Sequence, residues 1–387
     1  MRNILHGLRN SLLGCGVALA LAGGAQAGGF TVVHSFAGGS NDGASPLGGV
    51  TPAGQGSYYV ATDGGGSSNE GTLTLLRKDG TTQVLHTFTG GSDGQNADGA
   101  PLKWSIDGNV YGTTQFGGAS GCGTIYKYIP GSGAYQQLAA FRCAPDPAFP
   151  FAGMVSSVYY GALFGISYNG GLEDDGKLFY VDPDGNTGSS CQFDGVDGSH
   201  PFAGVTFLNA VSYGVATAGG ANNLGAVTDI CASRVLHSFA GGSDGATPYG
   251  TLLVHSGVLY GTTANGGPNN LGTVFKISPN GSGYKVLYNF QGICCGAGDG
   301  SFPHSGLAFN RKDGMLYGTT INGGNASDLG TIFKINSTTG AETVVHAFNG
   351  SDGAHPYGNL YIKKGTIRGT TVAGGASGLG VVFKLGT

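Results

Sequence analysis

Charge is scarce in this sequence. Of 387 residues only 40 carry it, 18 Lys+Arg and 22 Asp+Glu. So few charges, with acids in slight excess, argue against a nucleic-acid or anionic-membrane partner. C-x-x-C and H-E-x-x-H are both missing, which removes two common zinc signatures. No segment keeps a helical apolar period long enough to define a helix, so α-helical and α/β folds have nothing to be built from.

The first 27 residues differ from the rest. Arg2 and Arg9 form a positive region before the apolar run "SLLGCGVALALAGG", and "AQA" (25–27) offers small residues before a cut. This is the pattern of a secretory signal peptide over 1–27, cleaved after Ala27. The run is too short to span a membrane, and Cys15 follows the charged region too closely for a lipoprotein signal. Its loss removes two arginines, so 18 − 2 = 16 cations face 22 acids and net charge moves from −4 to −6. Seven cysteines less Cys15 leave Cys122, Cys143, Cys191, Cys231, Cys294 and Cys295. An even count in an exported chain suggests disulfides.

Glycine is abundant, at 78 residues, beside 20 Phe and 18 Tyr. There is no collagen triplet, and so many aromatics exclude a disordered chain. Short strands joined by tight turns suit such a composition. The stretch "LYGTTANGGPNNLGTVFKI" (259–277) returns in part at 316–334 as "LYGTTINGGNASDLGTIFK". Its companion phrase "VLHSF" places a phenylalanine at Phe36, Phe88, Phe141, Phe193, Phe239, Phe290 and Phe348, a step of about 52 residues. Prolines at 46, 101, 150, 201, 248, 303 and 356 keep the same count, as do seven Gly-Gly pairs.

Each unit splits into four short apolar segments, in the fifth "PYGTLLV", "GVLYGTT", "LGTVFKI" and "KVLYNF". Four strands per unit at this period predict a seven-bladed β-propeller over residues 28–387, one domain and a monomer. The mature chain opens on a fourth-strand phrase, "FTVVHSF", and closes on a third-strand phrase, "GLGVVFKL". Pairing the two would close the ring and remove free sheet edges.

In such a ring the loop between strands two and three and the loop joining blades share a face, where propellers usually bind ligands. An aspartate precedes the proline by four residues at Asp42, Asp146, Asp197, Asp244, Asp299 and Asp352, and by three at Asp98. Asp-Gly is ordinary turn chemistry. The sharper alternative is a ring of carboxylates binding calcium, the one ion this pattern suggests, although no D-x-D-x-D loop accompanies it. His34, His86, His237 and His346 recur at one strand-four position, too far apart around the rim to share a metal.

Where units depart from the repeat, function has room. Trp104 and Lys103 follow Pro101 where other units carry small residues, which would place them by the channel, the Trp as a sugar-stacking face or a plug. His304 follows Pro303 where others have Leu, Phe or Tyr, a candidate acid or base. Glu173, Asp174 and Asp175 form the one acidic cluster, a cation or acid–base candidate or simply a solvated loop. Cys122 opens a third strand and Cys143 follows the adjoining fourth, so these two can meet in a disulfide. Cys191 with Cys231 is a further pairing, and Cys294–Cys295 can be vicinal or take separate partners.

The pattern "LYGTT…GG…LGTVFK…VLHSF…DG…P" resembles the GloVer (Gloeo-Verruco) tandem repeat of bacterial exported proteins. The resemblance covers about 30–387, best in units five to seven and worn in "LFGISYNGG" and "SYGVATAGG". It implies a secreted or surface repeat protein, here without the C-terminal anchor of many relatives, and carries over no catalytic residues. The expectation is a propeller binding an extracellular glycan or protein. A polysaccharide lyase or glycoside hydrolase using Lys103, His304 or the Glu173–Asp175 loop is the alternative, and a protein scaffold the third.

Overall fold

A computed structural model describes residues 29–293 and 298–387. The expected signal peptide and the Cys294–Cys295 pair lie outside the described residues. Seven four-stranded antiparallel sheets follow one another along the chain as the blades of a propeller. Blade 5 shows the plan with strands Leu253–His255, Val258–Thr263, Thr273–Ile277 and Lys285–Asn289, innermost first. Blade 7 takes its outermost strand from the other end of the chain. Thr31–Ser35 pairs antiparallel with Val381–Gly386, so the ring is closed by the strand pairing that the sequence suggested.

The repeated phrases now acquire physical reasons. The glycine of "LYGTT" lies directly across from the aromatic of "TVFK", as in Gly261↔Phe275 and Gly318↔Phe333. A Cβ on Gly318 would stand 2.6 Å from Phe333 Cζ. The missing side chain is the slot that lets the ring lie flat over strand two and fill the space between blades. Of the two threonines, the second pairs across the sheet, Thr263 with Thr273 at 2.8 Å. The first donates to the next blade, Thr262 Oγ1 to the Ser305 carbonyl at 3.1 Å and Thr113 Oγ1 to the Ala152 carbonyl at 3.3 Å. Each blade thus satisfies buried hydroxyls partly through its neighbour.

"VLHSF" carries an extra residue. In all seven blades the pairing of strands three and four shifts register within this phrase. The bulge twists the exposed edge strand away from further pairing. It also turns the histidine toward the aspartate of the following loop: His34–Asp42, His237–Asp244 and His346–Asp352 are each 3.0 Å apart. The same carboxylates accept backbone N–H groups, Ala37 on Asp42 and Ala240 on Asp244. The recurring histidines and aspartates are therefore one clamp that folds the inter-blade loop. Tyr288 replaces the histidine in blade 5 and donates to Asp299 at 2.5 Å.

Two disulfides form among the described residues, Cys122–Cys143 (Cα–Cα 5.4 Å) and Cys191–Cys231 (5.0 Å). The second ties the outer strand of blade 3 to blade 4. No described helix is long and apolar enough to cross a membrane.

Candidate functional site

The two repeated loops lie side by side on one face, joined by backbone bridges such as Ala246↔Asn265 and Ser301↔Asn322. The residue before the loop proline takes a left-handed φ in every blade that has one there, for example Thr247 (54°) and Phe302 (56°). In the second blade that conformation falls on Asn96 (55°), which precedes Ala97 rather than a proline. Asn tolerates this region. The loop therefore reaches its conserved geometry four residues before Pro101, and the proline spacing misplaces this one unit.

Three placements change as a result. Asp93, not Asp98, is the clamp carboxylate of this blade, 3.1 Å from His86. Asp98 moves to the position that the other blades fill with Leu47, Phe151, Phe202, Tyr249, His304 and Tyr357. Trp104 is not at the channel. It starts the turn that leads to strand two, on the opposite face, where it is 1% exposed and meets Tyr111 edge-on at 5.5 Å. Its ring fills the core between blades 2 and 3. Lys103 precedes it there and donates to the Ala53 carbonyl of blade 1 at 3.1 Å.

The corrected register brings an aromatic arc together around the channel mouth. Phe151 stacks on Phe202 at 4.0 Å, Phe202 meets Tyr249 at 5.2 Å, Tyr249 stacks on His304 at 4.1 Å, and His304 lies 4.8 Å from Tyr357. Five consecutive blades each contribute one half-buried ring. Tyr168 flanks the arc beside Phe151 and Phe202. His304 Nδ1 shares a 2.9 Å hydrogen bond with the Tyr357 hydroxyl. Burial drives its pKa down to about 3, so the imidazole is neutral. Asp98 of blade 2 and Leu47 of blade 1 fill the two remaining positions. Burial, and then the neighbouring Asp63, hold the Asp98 carboxyl well above the usual range. Tyr357 is pushed up by burial, by Tyr249 and by Asp98, which places Asp98 and Tyr357 within electrostatic reach across the mouth.

The sequence model of the Gloeobacter/Verrucomicrobia repeat matches residues 14–228 and again 213–383. The chain belongs to that repeat family. No curated protein matches this repeat protein in sequence. Solved structures do match in shape. An oligogalacturonate lyase from Vibrio parahaemolyticus is similar at TM-score 0.55 and 10% identity over 92% of both chains. A second oligogalacturonate lyase, in complex with manganese, reaches 0.52 and 10% over 89% of both. The tricorn protease gives 0.43 and 12%, the repeat chain spanning 27% of its length. At such identities the likeness is one of fold alone.

Other residues singled out in the repeat sequence are dispersed. Asp174 caps its own loop, accepting from the Gly170 N–H at 2.7 Å, as Asn270 does for Gly266. Glu173 is exposed, and Asp175 lies 4.0 Å from His200. Asp146 faces Arg142 at 3.7 Å, and Asp197 accepts the Asp194 N–H at 3.1 Å. Apart from Asp98, which turns to the mouth beside Asp63, each aspartate of the supposed ring works within its own loop, and no group of three or more His, Cys, Asp or Glu that could hold a metal ion is found among the described residues. Lys103, His304 and Glu173–Asp175 do not form a common site, being on the far face, in the mouth and on the rim of blade 3. The arc itself was missed by sequence reasoning, although Phe, Phe, Tyr, His and Tyr at one position of five successive units was its signal.

A pH dependence follows from His304. Its pKa falls from 6.5 unfolded to about 3 folded. The unfolded chain therefore binds the extra proton, and this stabilisation is full above pH 6.5 and lost as pH drops toward 3. The slope is about 1.4 kcal/mol per pH unit for one proton. In denaturant titrations at pH 7 and pH 5, His304→Asn should lose less stability on acidification than the parent protein.

Proposed function

We propose that this repeat protein is an exported binding module that holds a carbohydrate chain at its channel mouth. The observation that carries this reading is the arc of five rings on consecutive blades. Aromatic faces stack on the C–H faces of sugars, and polar groups placed among them fix orientation. Here the polar groups are the Tyr249 and Tyr357 hydroxyls, the neutral His304 and the Asp98 carboxyl. Export is supported by the N-terminal signal pattern and by two disulfides, which persist in oxidising compartments. Two proteins of the same fold being oligogalacturonate lyases adds a precedent for sugar chains, by fold analogy.

Calorimetric titration with a panel of neutral and acidic oligosaccharides tests it. Two lost stacking contacts at about 0.5–1.5 kcal/mol each make Phe202→Ala/Tyr249→Ala bind at least several-fold more weakly, with melting checked separately. Equal affinity in the variant would remove the arc from the binding site.

One observation favours a second reading, cleavage of the bound chain. Asp98 and Asp63 are adjacent carboxyl groups, and burial together with Asp63 raises the Asp98 carboxyl above the usual range; such a pair can donate and accept a proton.

A further inference from the structure

We propose that the face opposite the channel mouth carries a second binding surface, a basic track that takes a linear acidic polysaccharide. Two grooves cross that face, of about 310 and 400 Å³. The first, between blades 7 and 1, is walled by Lys363, Lys364 and Arg368. The second, between blades 6 and 7, is walled by Arg311, Lys312 and again Lys364. Lys364 borders both, so the grooves run together across three blades.

These five residues are 5 of the 16 Lys and Arg in residues 28–387, a concentration of positive charge in a segment of net charge −6. None of them forms an ion pair with Asp or Glu among the described residues. Lys312 donates to the Thr387 carbonyl. Arg368 lies over the Tyr58 ring at 4.9 Å, which holds the guanidinium at the groove wall without neutralising it. Asp313, the acid in these hairpin turns, is already occupied by the Tyr317 hydroxyl at 2.5 Å and the Met315 N–H at 3.1 Å. The corresponding turns of blades 1, 4 and 5 are uncharged at Gln55, Asn209 and Ser256, and that of blade 2 carries Asp107 rather than a cation. The fold therefore does not need the cations.

Ammonium and guanidinium groups pair with carboxylate or sulfate. A continuous groove suits one extended chain, and the half-buried Tyr361 on its wall offers a face to a sugar ring. A membrane surface fits less well. It would need protruding apolar side chains beside the charge, and on these hairpin turns those (Ile106, Val158, Tyr159 and Tyr160) belong to blades 2 and 3.

The test uses residues 28–387 with dextran sulfate and uncharged dextran of equal length. Dextran sulfate should bind, weaken steeply with added salt, and bind at least tenfold more weakly to Arg311→Glu/Lys363→Glu, whereas uncharged dextran should not bind this face. Both positions are exposed. Arg311→Gln/Lys363→Gln gives a milder version should the glutamates disturb folding. Unchanged dextran sulfate affinity in both variants would overturn the proposal. So would binding to phosphatidylglycerol vesicles in place of the polysaccharide.

Discussion

A protein lacking residues 1–37 should not fold as a monomer. The truncation removes Thr31–Ser35, the outermost strand of blade 7, and exposes the whole edge of Val381–Gly386. It also removes three packed side chains. Phe30 stacks on His346 at 3.8 Å and on Phe383 at 5.6 Å, Val32 packs against the blade 6–7 core, and Phe36, 1% exposed, sits between blades 7 and 1. At roughly 1.5–3 kcal/mol for a fully buried side chain such as Phe36 and about half of that for the half-buried Phe30 and Val32, the three contribute about 3–6 kcal/mol. Typical domains have only about 5–15 kcal/mol in total. Size-exclusion chromatography and thermal melting should show aggregation or loss of a cooperative transition. A monomer melting like the parent would mean that ring closure contributes little.

Phe333→Ala should have the next largest effect. The ring is fully buried between blades 5 and 6, edge-on to Phe290 at 5.1 Å and over Gly318. Emptying such a site costs about 3–5 kcal/mol. Gly318→Ala forces the ring aside and costs about 1–3 kcal/mol by overpacking. Because the two closest approaches of the added Cβ are to the ring, most of the second cost exists only while the ring is present, and the double variant should be less destabilised than the sum of the singles. Urea unfolding of the four proteins measures this directly. Strict additivity would show that glycine and ring are not one device.

What was legible in the sequence was whatever repeats in register. The blade count came from Phe36 to Phe348, closure from the strand phrases at the two ends, and Cys122–Cys143 from strand adjacency. Blade 2 shows where a residue ruler fails. Its loop is set by a left-handed φ that Asn96 supplies, and Pro101 only resembles the marker found elsewhere. Trp104 and Asp98 were misplaced for that reason. The histidine and aspartate patterns were both visible, but a register shift in the outer strand brings them together, and a bulge leaves no mark in the letters. The arc and the basic track are properties of the ring. Residues 50 positions apart in sequence touch around the axis, and Arg311, Lys312, Lys363, Lys364 and Arg368 converge only because blades 6, 7 and 1 are neighbours.

The most direct measurement is depletion of purified 28–387 by insoluble polysaccharides, with reducing ends and unsaturated uronates assayed in the same tubes. Binding without new chain ends, lost in Phe202→Ala/Tyr249→Ala, is the expected result for a binding module at the channel mouth. New chain ends that disappear in Asp98→Asn would contradict it and make the protein an enzyme. Depletion unaffected by the arc substitutions would contradict the placement of the site.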